Sequence, residues 1–120
     1  MDLNSYLGIH AQALSVEARR TEVLAANLAN VDTPDYKARD VDFKAALAAS
    51  SADGGTAATG SAAADSQLKY RVPLAPSLDG NTVDEQLEQA AFAENGVRYQ
   101  ATLTLLNSKL RALMTAITGQ

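Results

Sequence analysis

Apolar side chains recur over the first thirty residues in alternating steps of four and three, which is the spacing of one face of an α-helix. Polar residues interrupt this stripe at three positions, and a second apolar stripe runs parallel to it. The pattern predicts a helix over residues 1–32 that is contacted from more than one side. The large apolar residues of the main stripe are Leu3, Leu7, Leu14, Leu24, Leu28 and Val31, and the interruptions are His10, Glu17 and Thr21.

The C-terminal segment repeats this pattern without interruption. A turn signal at residues 79–81 precedes it, and Thr82 followed by Glu85 has the layout of a capping box. The pattern predicts a helix from about Thr82 to Thr118, roughly 55 Å long at 1.5 Å per residue. Its apolar positions are Tyr99, Leu103, Leu106, Leu110, Leu113 and Ile117.

The middle of the chain differs in composition from both ends. Residues 49–66 are only Ala, Ser, Thr, Gly and Asp, and such side chains bury too little apolar surface to offset the entropy of ordering, which predicts a flexible, exposed loop. Leu68, Tyr70 and Val72 alternate with polar residues, which predicts a short extended segment, and residues 38–48 favour a short helix.

These elements predict a mainly α fold in which two long terminal helices pack as an antiparallel, coiled-coil-like pair. We expect one structural unit with three parts. They are an N-terminal helix over 1–32, a middle region over 33–81 with the turn, loop and extended segment, and a C-terminal helix over 82–120.

Composition indicates that this unit has a thin core of its own. Of the residues counted as hydrophobic, 24 are alanine, and the chain has no Trp and two Phe. Because small cores are marginal, the helices need partners to bury their stripes. The net charge of −4 argues against nucleic acid as a partner. No stretch is long and apolar enough to span a bilayer, and the layout of a cleaved secretory signal is absent.

The residue types of catalytic and metal sites are scarce. His10 is the one histidine, cysteine is absent, and the stripe position of His10 indicates a polar helix contact. The crowded carboxylates at 32–42 alternate with basic residues and lack the glycine and terminal glutamate of a calcium loop, so an ion-paired surface is the better interpretation. The sequence predicts no catalytic residue, no metal site and no cofactor.

The segment that ends the first helix carries specific turn chemistry. Thr33 precedes Pro34, and a proline disfavours the helical conformation in the residue before it, so the helix should end by about Asp32. Asn27 and Asn30 lie three apart, hence on one face near the helix end. They either bond to the backbone of a neighbouring segment or subunit, or simply cap the helix.

The run from Ala26 to Lys37 resembles a motif of the bacterial flagellar rod and hook axial proteins, except that Asp35 stands where glycine is usual. A second run, at 70–73 and 76–84, resembles the proximal-rod FlgB type of that family. The residues that match the first motif are Ala26, Asn27, Ala29, Asn30, Thr33, Pro34, Tyr36 and Lys37.

The resemblance implies a structural subunit of the proximal rod that polymerises through its terminal helices and transmits torque through the periplasm. It implies secretion by the flagellar type III system without a cleaved signal peptide. The implied partners are copies of itself, other proximal-rod proteins, the rod-base adaptor with the membrane ring, and the type III export gate. A soluble helical-hairpin adaptor or chaperone in the cytoplasm is the alternative, and an enzyme is a remote third.

Two sets of residues carry these expectations. Phe43 and Leu47 share one helical face, so they are either local core or, as the resemblance implies, the motif read by the export gate. Subunit assembly is assigned to the apolar stripes of the two terminal helices, at Leu3, Leu7, Leu14, Leu24, Leu28, Tyr99, Leu103, Leu106, Leu110, Leu113 and Ile117.

Overall fold

The computed structural model describes residues 3–52, 57–73 and 75–119, and it is mainly helical. Its shape is elongated, 64 × 26 × 18 Å. The expected pair of long terminal helices is confirmed. The elements in chain order are α1 (Leu3–Ala29), β1 (Arg39–Val41), α2 (Phe43–Ala52), α3 (Ala57–Ser66), β2 (Leu68–Tyr70) and α4 (Glu85–Thr118).

Helices α1 and α4 pack against each other in antiparallel order. Asn27 contacts Glu88 near one end of the pair, and Tyr6 contacts Lys109 near the other. Tyr6 and Asn27 are 21 residues apart in α1, and Glu88 and Lys109 are 21 residues apart in α4, so the two helices run alongside each other in step. Residues of α4 beyond about 112 lie past the first residue of α1, so the end of α4 projects beyond its partner helix.

The two long helices end close to the expected positions, but the start of α4 is set by a different residue. Asp84, not Thr82, is the N-cap, and its side chain accepts a hydrogen bond from the Leu87 backbone N–H. The capping box predicted at Thr82 is therefore wrong, because the Thr82 hydroxyl instead accepts from the Ala38 N–H at 2.8 Å. Gly119, in the left-handed conformation, closes the helix with a bond to the Thr115 carbonyl.

The structure differs from the expected loop over residues 49–66. Residues up to Ala52 continue α2, residues 57–66 form α3, and 53–56 lie outside the described part. Small side chains permit this packing, because a Cβ added at Gly60 would lie 2.9 Å from the Gln12 carbonyl oxygen of α1. The composition of residues 49–66 suggested that they have no apolar surface to bury. Their small side chains nevertheless let the backbone of α3 approach α1 closely, and α3 then buries part of the surface of α1.

The core lies where α2, α3 and the strands cover one side of α1. Its buried members are mostly small, and Phe43 and Leu68 pack against them from the edge. The expected extended segment is confirmed as β2, which pairs with β1 in antiparallel register, Asp40 opposite Lys69. None of the described helices combines the length and apolar character needed to cross a membrane. The buried cluster is Val16, Val23, Val41, Ala46 and Ala64.

Candidate functional site

Asn81 ties the end of α1 to the segment that leads into α4. Its side-chain amide donates to the backbone carbonyls of Asn30, Val31 and Thr33 at 2.9, 3.0 and 2.7 Å. A helix leaves its last carbonyls without helical partners, and Asn81 satisfies such groups from a segment fifty residues away in sequence. Asn81 is buried, so its amide, rather than water, supplies the hydrogen-bond donor for these carbonyls.

The two sequence motifs meet around this asparagine. The Asp35 N–H donates to the Asp79 carbonyl at 2.8 Å, and the Thr82 N–H donates to the Tyr36 carbonyl at 3.0 Å. The Lys37 ammonium also donates to the Gly80 carbonyl. We call this contact between 30–37 and 77–84 the motif junction. Hydrogen bonds from the Ser77 hydroxyl and then the Asn81 N–H lower the pKa of the Asp79 carboxyl.

Backbone conformation explains two residues at the motif junction. Asp35 has a φ of 63° and Gly80 a φ of 77°, both in the left-handed region. Glycine adopts this region without strain, and Asp and Asn tolerate it better than most residues. Asp35 therefore keeps the turn that the related motif makes with glycine. A Cβ at Gly80 would in addition lie 2.7 Å from the Asp35 carboxylate.

The two asparagines of the first motif have different partners. Asn27 is fully buried, and its amide both donates to the Arg39 carbonyl and accepts from the Arg39 N–H, at 2.6 and 3.1 Å. It therefore pairs the outer edge of β1 as a neighbouring strand would. Asn30 instead donates to the Ala26 carbonyl of its own helix and accepts from Thr33. One asparagine thus holds a neighbouring segment, and the other caps locally.

A cluster of four charges lies beside Asn27 and joins four parts of the fold. Arg20 of α1 pairs with Asp40 of β1 through two bonds of 2.9 and 3.1 Å, and Arg71 lies 3.0 Å from the same carboxylate. Arg71 Nε lies 2.9 Å from Glu88 Oε1 in ion-pair contact, outside hydrogen-bond geometry. Glu88 has no exposed surface and also accepts from Asn27. Two cations and two anions leave the cluster neutral.

Helix α4 faces α1 with polar residues spaced seven apart, which we call the polar seam. Glu88 bonds to Asn27, and Asn95 donates to the Glu17 carbonyl at 2.9 Å and to the Thr21 hydroxyl at 2.7 Å. Thr102 donates to the Glu17 carboxylate at 3.1 Å. Lys109 lies 5.2 Å from the centre of the Tyr6 ring. The residues of the polar seam are Glu88, Asn95, Thr102 and Lys109.

Glu17 is the residue of this contact whose burial costs free energy. Burial raises the pKa of its carboxyl, while the Thr102 hydrogen bond and the Arg98 charge oppose that rise. Glu17 Oε2 and Asn95 Oδ1 are both buried without a hydrogen-bond partner among the described residues. A buried polar atom without a partner costs free energy, so the polar seam specifies one arrangement at some expense of stability.

The apolar stripes assigned to assembly lie beside the polar seam and differ in exposure. Leu24 has no exposed surface, so it belongs to the protomer's own packing. Leu110 and Ile117, toward the projecting end of α4, are exposed, Ile117 by 76%. The side chain of Leu3 lies outside the described ones. The half-buried members are Leu7, Leu14, Leu28, Tyr99, Leu103, Leu106 and Leu113.

Phe43 and Leu47 lie on one face of α2, as their spacing predicts. With Ile9 of α1 they line a shallow surface groove, and both are half-buried. Phe43 packs at the edge of the core. Its aromatic ring therefore contacts the hydrophobic core in the folded protomer.

The sequence analysis gave no role to two of the most buried polar residues, Glu88 and Asn95. Their seven-residue spacing with Thr102 is a signal of a contact face. Arg71 was noted only as part of a motif. Among the described residues, no three His, Cys, Asp or Glu side chains come together as a metal-binding group.

Comparisons with known proteins agree with the motifs that the structure brings together. A family model described as flagella basal body rod protein matches residues 7–37. A Cereibacter sphaeroides protein, flagellar basal body rod protein FlgB, is 50% identical over 95% of this chain and 94% of its own length. Proteins of the same name from Salmonella typhimurium and Escherichia coli are 42% and 38% identical, over 98% and 96% of this chain and 96% and 94% of their lengths. The chain therefore belongs to the FlgB family of flagellar basal body rod proteins.

Proposed function

We propose that the chain is a structural subunit of the proximal rod that polymerises through the apolar stripes of α1 and α4 and transmits torque across the periplasm. One observation carries the proposal. Residues of the polar seam make hydrogen bonds between α1 and α4, and the adjoining apolar residues of α4, toward its projecting end, remain half-buried or exposed.

The energetics of that arrangement favour a polymer. An exposed leucine or isoleucine gains roughly 1.5–3 kcal/mol when it becomes fully buried, and a row of them on one helix face sums to a strong association. Helices in proteins gain most of their stability from packing of this kind rather than from helix propensity. Neighbouring subunits supply the missing surface in this proposal, and the assembly residues are the stripe members other than Leu24.

The specific neighbours and the route of assembly are part of the same proposal. The partners are copies of this chain, other proximal-rod proteins, the rod-base adaptor and the membrane ring. The subunit reaches the periplasm through the flagellar type III system, without a cleaved signal peptide. Phe43 and Leu47 are half-buried in the folded protomer, so an export gate reads them most completely in the unfolded chain.

Cell fractionation separates this role from that of a cytoplasmic adaptor or chaperone. A rod subunit co-purifies with basal bodies extracted in detergent, and it remains with them through washing in high salt. An adaptor stays in the soluble cytosol. Recovery of the chain only in the cytosol of cells with complete basal bodies would reject the rod assignment.

A second experiment addresses the export role. In a strain blocked at rod assembly, Phe43→Ala should leave the protein present in the cytoplasm and strongly reduce the exported fraction. Ile9→Ala is the matched control, since Ile9 lines the same groove from α1. Normal export of Phe43→Ala together with failed assembly would assign Phe43 to packing alone.

A further inference from the structure

An exposed apolar surface and an acidic groove flanked by exposed apolar side chains lie at opposite ends of the molecule. We call the first the tip, formed by Leu110, Met114 and Ile117 at the end of α4, all of them exposed. The second is a groove between the end of α1 and the start of α4. Val72 and Leu78, exposed by 83% and completely, lie on the segment that forms it. The groove lining is mostly polar and includes Asp79, Asp84 and Glu85, while Val31, Pro73 and Val83 belong to its apolar part.

The two surfaces carry opposite charge. Helix α4 from residue 99 onward contains Lys109 and Arg111 and no carboxylate. The described residues that line the groove include Asp79, Asp84 and Glu85 and no basic side chain. Complementary charge of this kind orients partners and disfavours pairing of like surfaces. Tip against tip and groove against groove are therefore both disfavoured.

The spacing of the tip residues also suits docking in a groove. The apolar residues of the tip are spaced i, i+4 and i+7, which are the anchor positions of a helix that lies in a groove. The 34 residues of α4 span roughly 50 Å between the two surfaces, so a copy cannot place its own tip in its own groove. A contact between unlike surfaces on separate copies leaves one tip and one groove unfilled, so it continues along a chain of subunits.

We propose that the tip of one copy docks in the groove of the next, so that subunits associate head to tail. This inference rests on the proposed function and adds to it the two surfaces that meet. Leu110, Met114 and Ile117 enter the groove beside Val72 and Leu78. Arg111 of the entering helix then lies near the acidic lining at the start of α4.

Complementary variants of the full chain test this contact. Met114→Asp disables the tip and leaves the groove intact, whereas Leu78→Asp does the reverse. In sedimentation velocity, the unmodified chain should form larger species with rising concentration, and each variant alone should remain monomeric. An equimolar mixture should form a dimer and stop there, since only one productive contact is available. A monomeric mixture, or an unmodified chain that never self-associates, would overturn the proposal.

Charge exchange gives a second readout. Arg111→Glu and Glu85→Arg should each weaken association by about two- to fivefold, the range of exposed ion pairs. Both changes in one chain should restore much of the loss, and added salt should weaken the unmodified contact. Ala112→Asp, on the opposite face of α4 from Leu110, is the control, and circular dichroism checks folding. Failure of the double variant to recover would reject the assigned pairing.

The rod assignment and the head-to-tail contact are tested by different measurements. A chain that fractionates with basal bodies but forms no mixed dimer would overturn the head-to-tail contact and leave the rod assignment intact. A chain that forms the mixed dimer but fractionates with the cytosol would do the opposite.

Discussion

The two ends of the α1–α4 pair are built from opposite chemistry. Toward the start of α4, Asn27, Glu88 and Asn95 are buried and each has named partners in other elements. Toward the end of α4, Leu110 and Ile117 are exposed and belong to an apolar stripe. One end holds the protomer in a single arrangement, and the other offers a surface that the protomer itself does not cover.

This difference follows from what each type of contact demands. A buried amide or carboxylate needs a partner at hydrogen-bond distance, so moving α4 along α1 would leave Glu88 and Asn95 buried without hydrogen-bond partners. Buried polar residues of this kind fix register in helical pairs at a cost in stability. An apolar stripe packs on any complementary apolar surface. It therefore suits a contact that forms only when subunits meet.

The largest effect should come from the charge cluster beside Asn27. Arg71→Ala leaves Glu88 fully buried without its cation, and loss of one partner of a buried pair typically costs about 3–5 kcal/mol. We expect a loss of this size in the free energy of unfolding, measured with urea. Lys69→Ala removes a cation from an exposed pair with Asp42, where about 0.2–1 kcal/mol is expected. Similar losses in both variants would contradict the distinction between the two surroundings.

A smaller effect should come from the amide that joins the motifs. Asn81→Ala removes the donor to three carbonyls at the end of α1, and buried acceptors left without a partner cost about 1–3 kcal/mol. Amide exchange should become faster at Asp35 and Thr82, whose N–H groups bond across the junction. Asn107→Ala on the exposed face of α4 is the control. Unchanged exchange at both positions would show that the junction does not depend on Asn81.

The pH dependence of the polar seam should be smaller again. Since burial raises the folded-state pKa of Glu17 above its ordinary value of 4.5, the folded protein binds the proton more tightly than the unfolded chain. Stability therefore falls as pH rises from 4.5 through the raised pKa, and the cost is complete above it. Glu17→Gln keeps an acceptor for Thr102 and should be more stable than the unmodified chain at neutral pH.

Unfolding measured across that pH window checks the sign. The advantage of Glu17→Gln should shrink as pH falls toward 4.5, because the native carboxyl becomes neutral. Glu22→Gln, at an exposed carboxylate on the same helix, is the control for charge removal alone. An advantage of Glu17→Gln that grows on acidification would reverse the assignment of Glu17 as a buried cost.

Sequence patterns located the long helices and both motifs, because these depend on local spacing and on proline and turn chemistry. They did not reveal that Asn81 bonds to the backbone at Asn30, since that contact joins residues 51 apart in sequence. They also misjudged α3, whose alanines and Gly60 pack because α1 lies within reach. Composition measures how much a segment can bury but not how closely another backbone approaches.

The face of α4 that meets α1 was the least predictable feature. The apolar stripe from Tyr99 to Ile117 was the stronger signal, and the seven-residue polar repeat from Glu88 to Thr102 was not singled out. A polar residue satisfied by a particular partner cannot be distinguished from an exposed one until that partner is placed. The structure therefore separates two faces that the sequence merges into one amphipathic pattern.

The smallest change in folding stability, and the clearest test of the comparison, is expected at the end of α4. Ile117→Asp alters a side chain that is 76% exposed, so the free energy of unfolding of the protomer should change by no more than about 0.5 kcal/mol. Incorporation into basal bodies should nevertheless be lost, because a carboxylate buried between subunits forfeits its hydration. Thr115→Asp places the same charge in the same turn on the opposite face and should assemble. Equal incorporation of both variants would mean that this face of α4 stays in solvent in the rod, and the exposed stripe would then need another explanation.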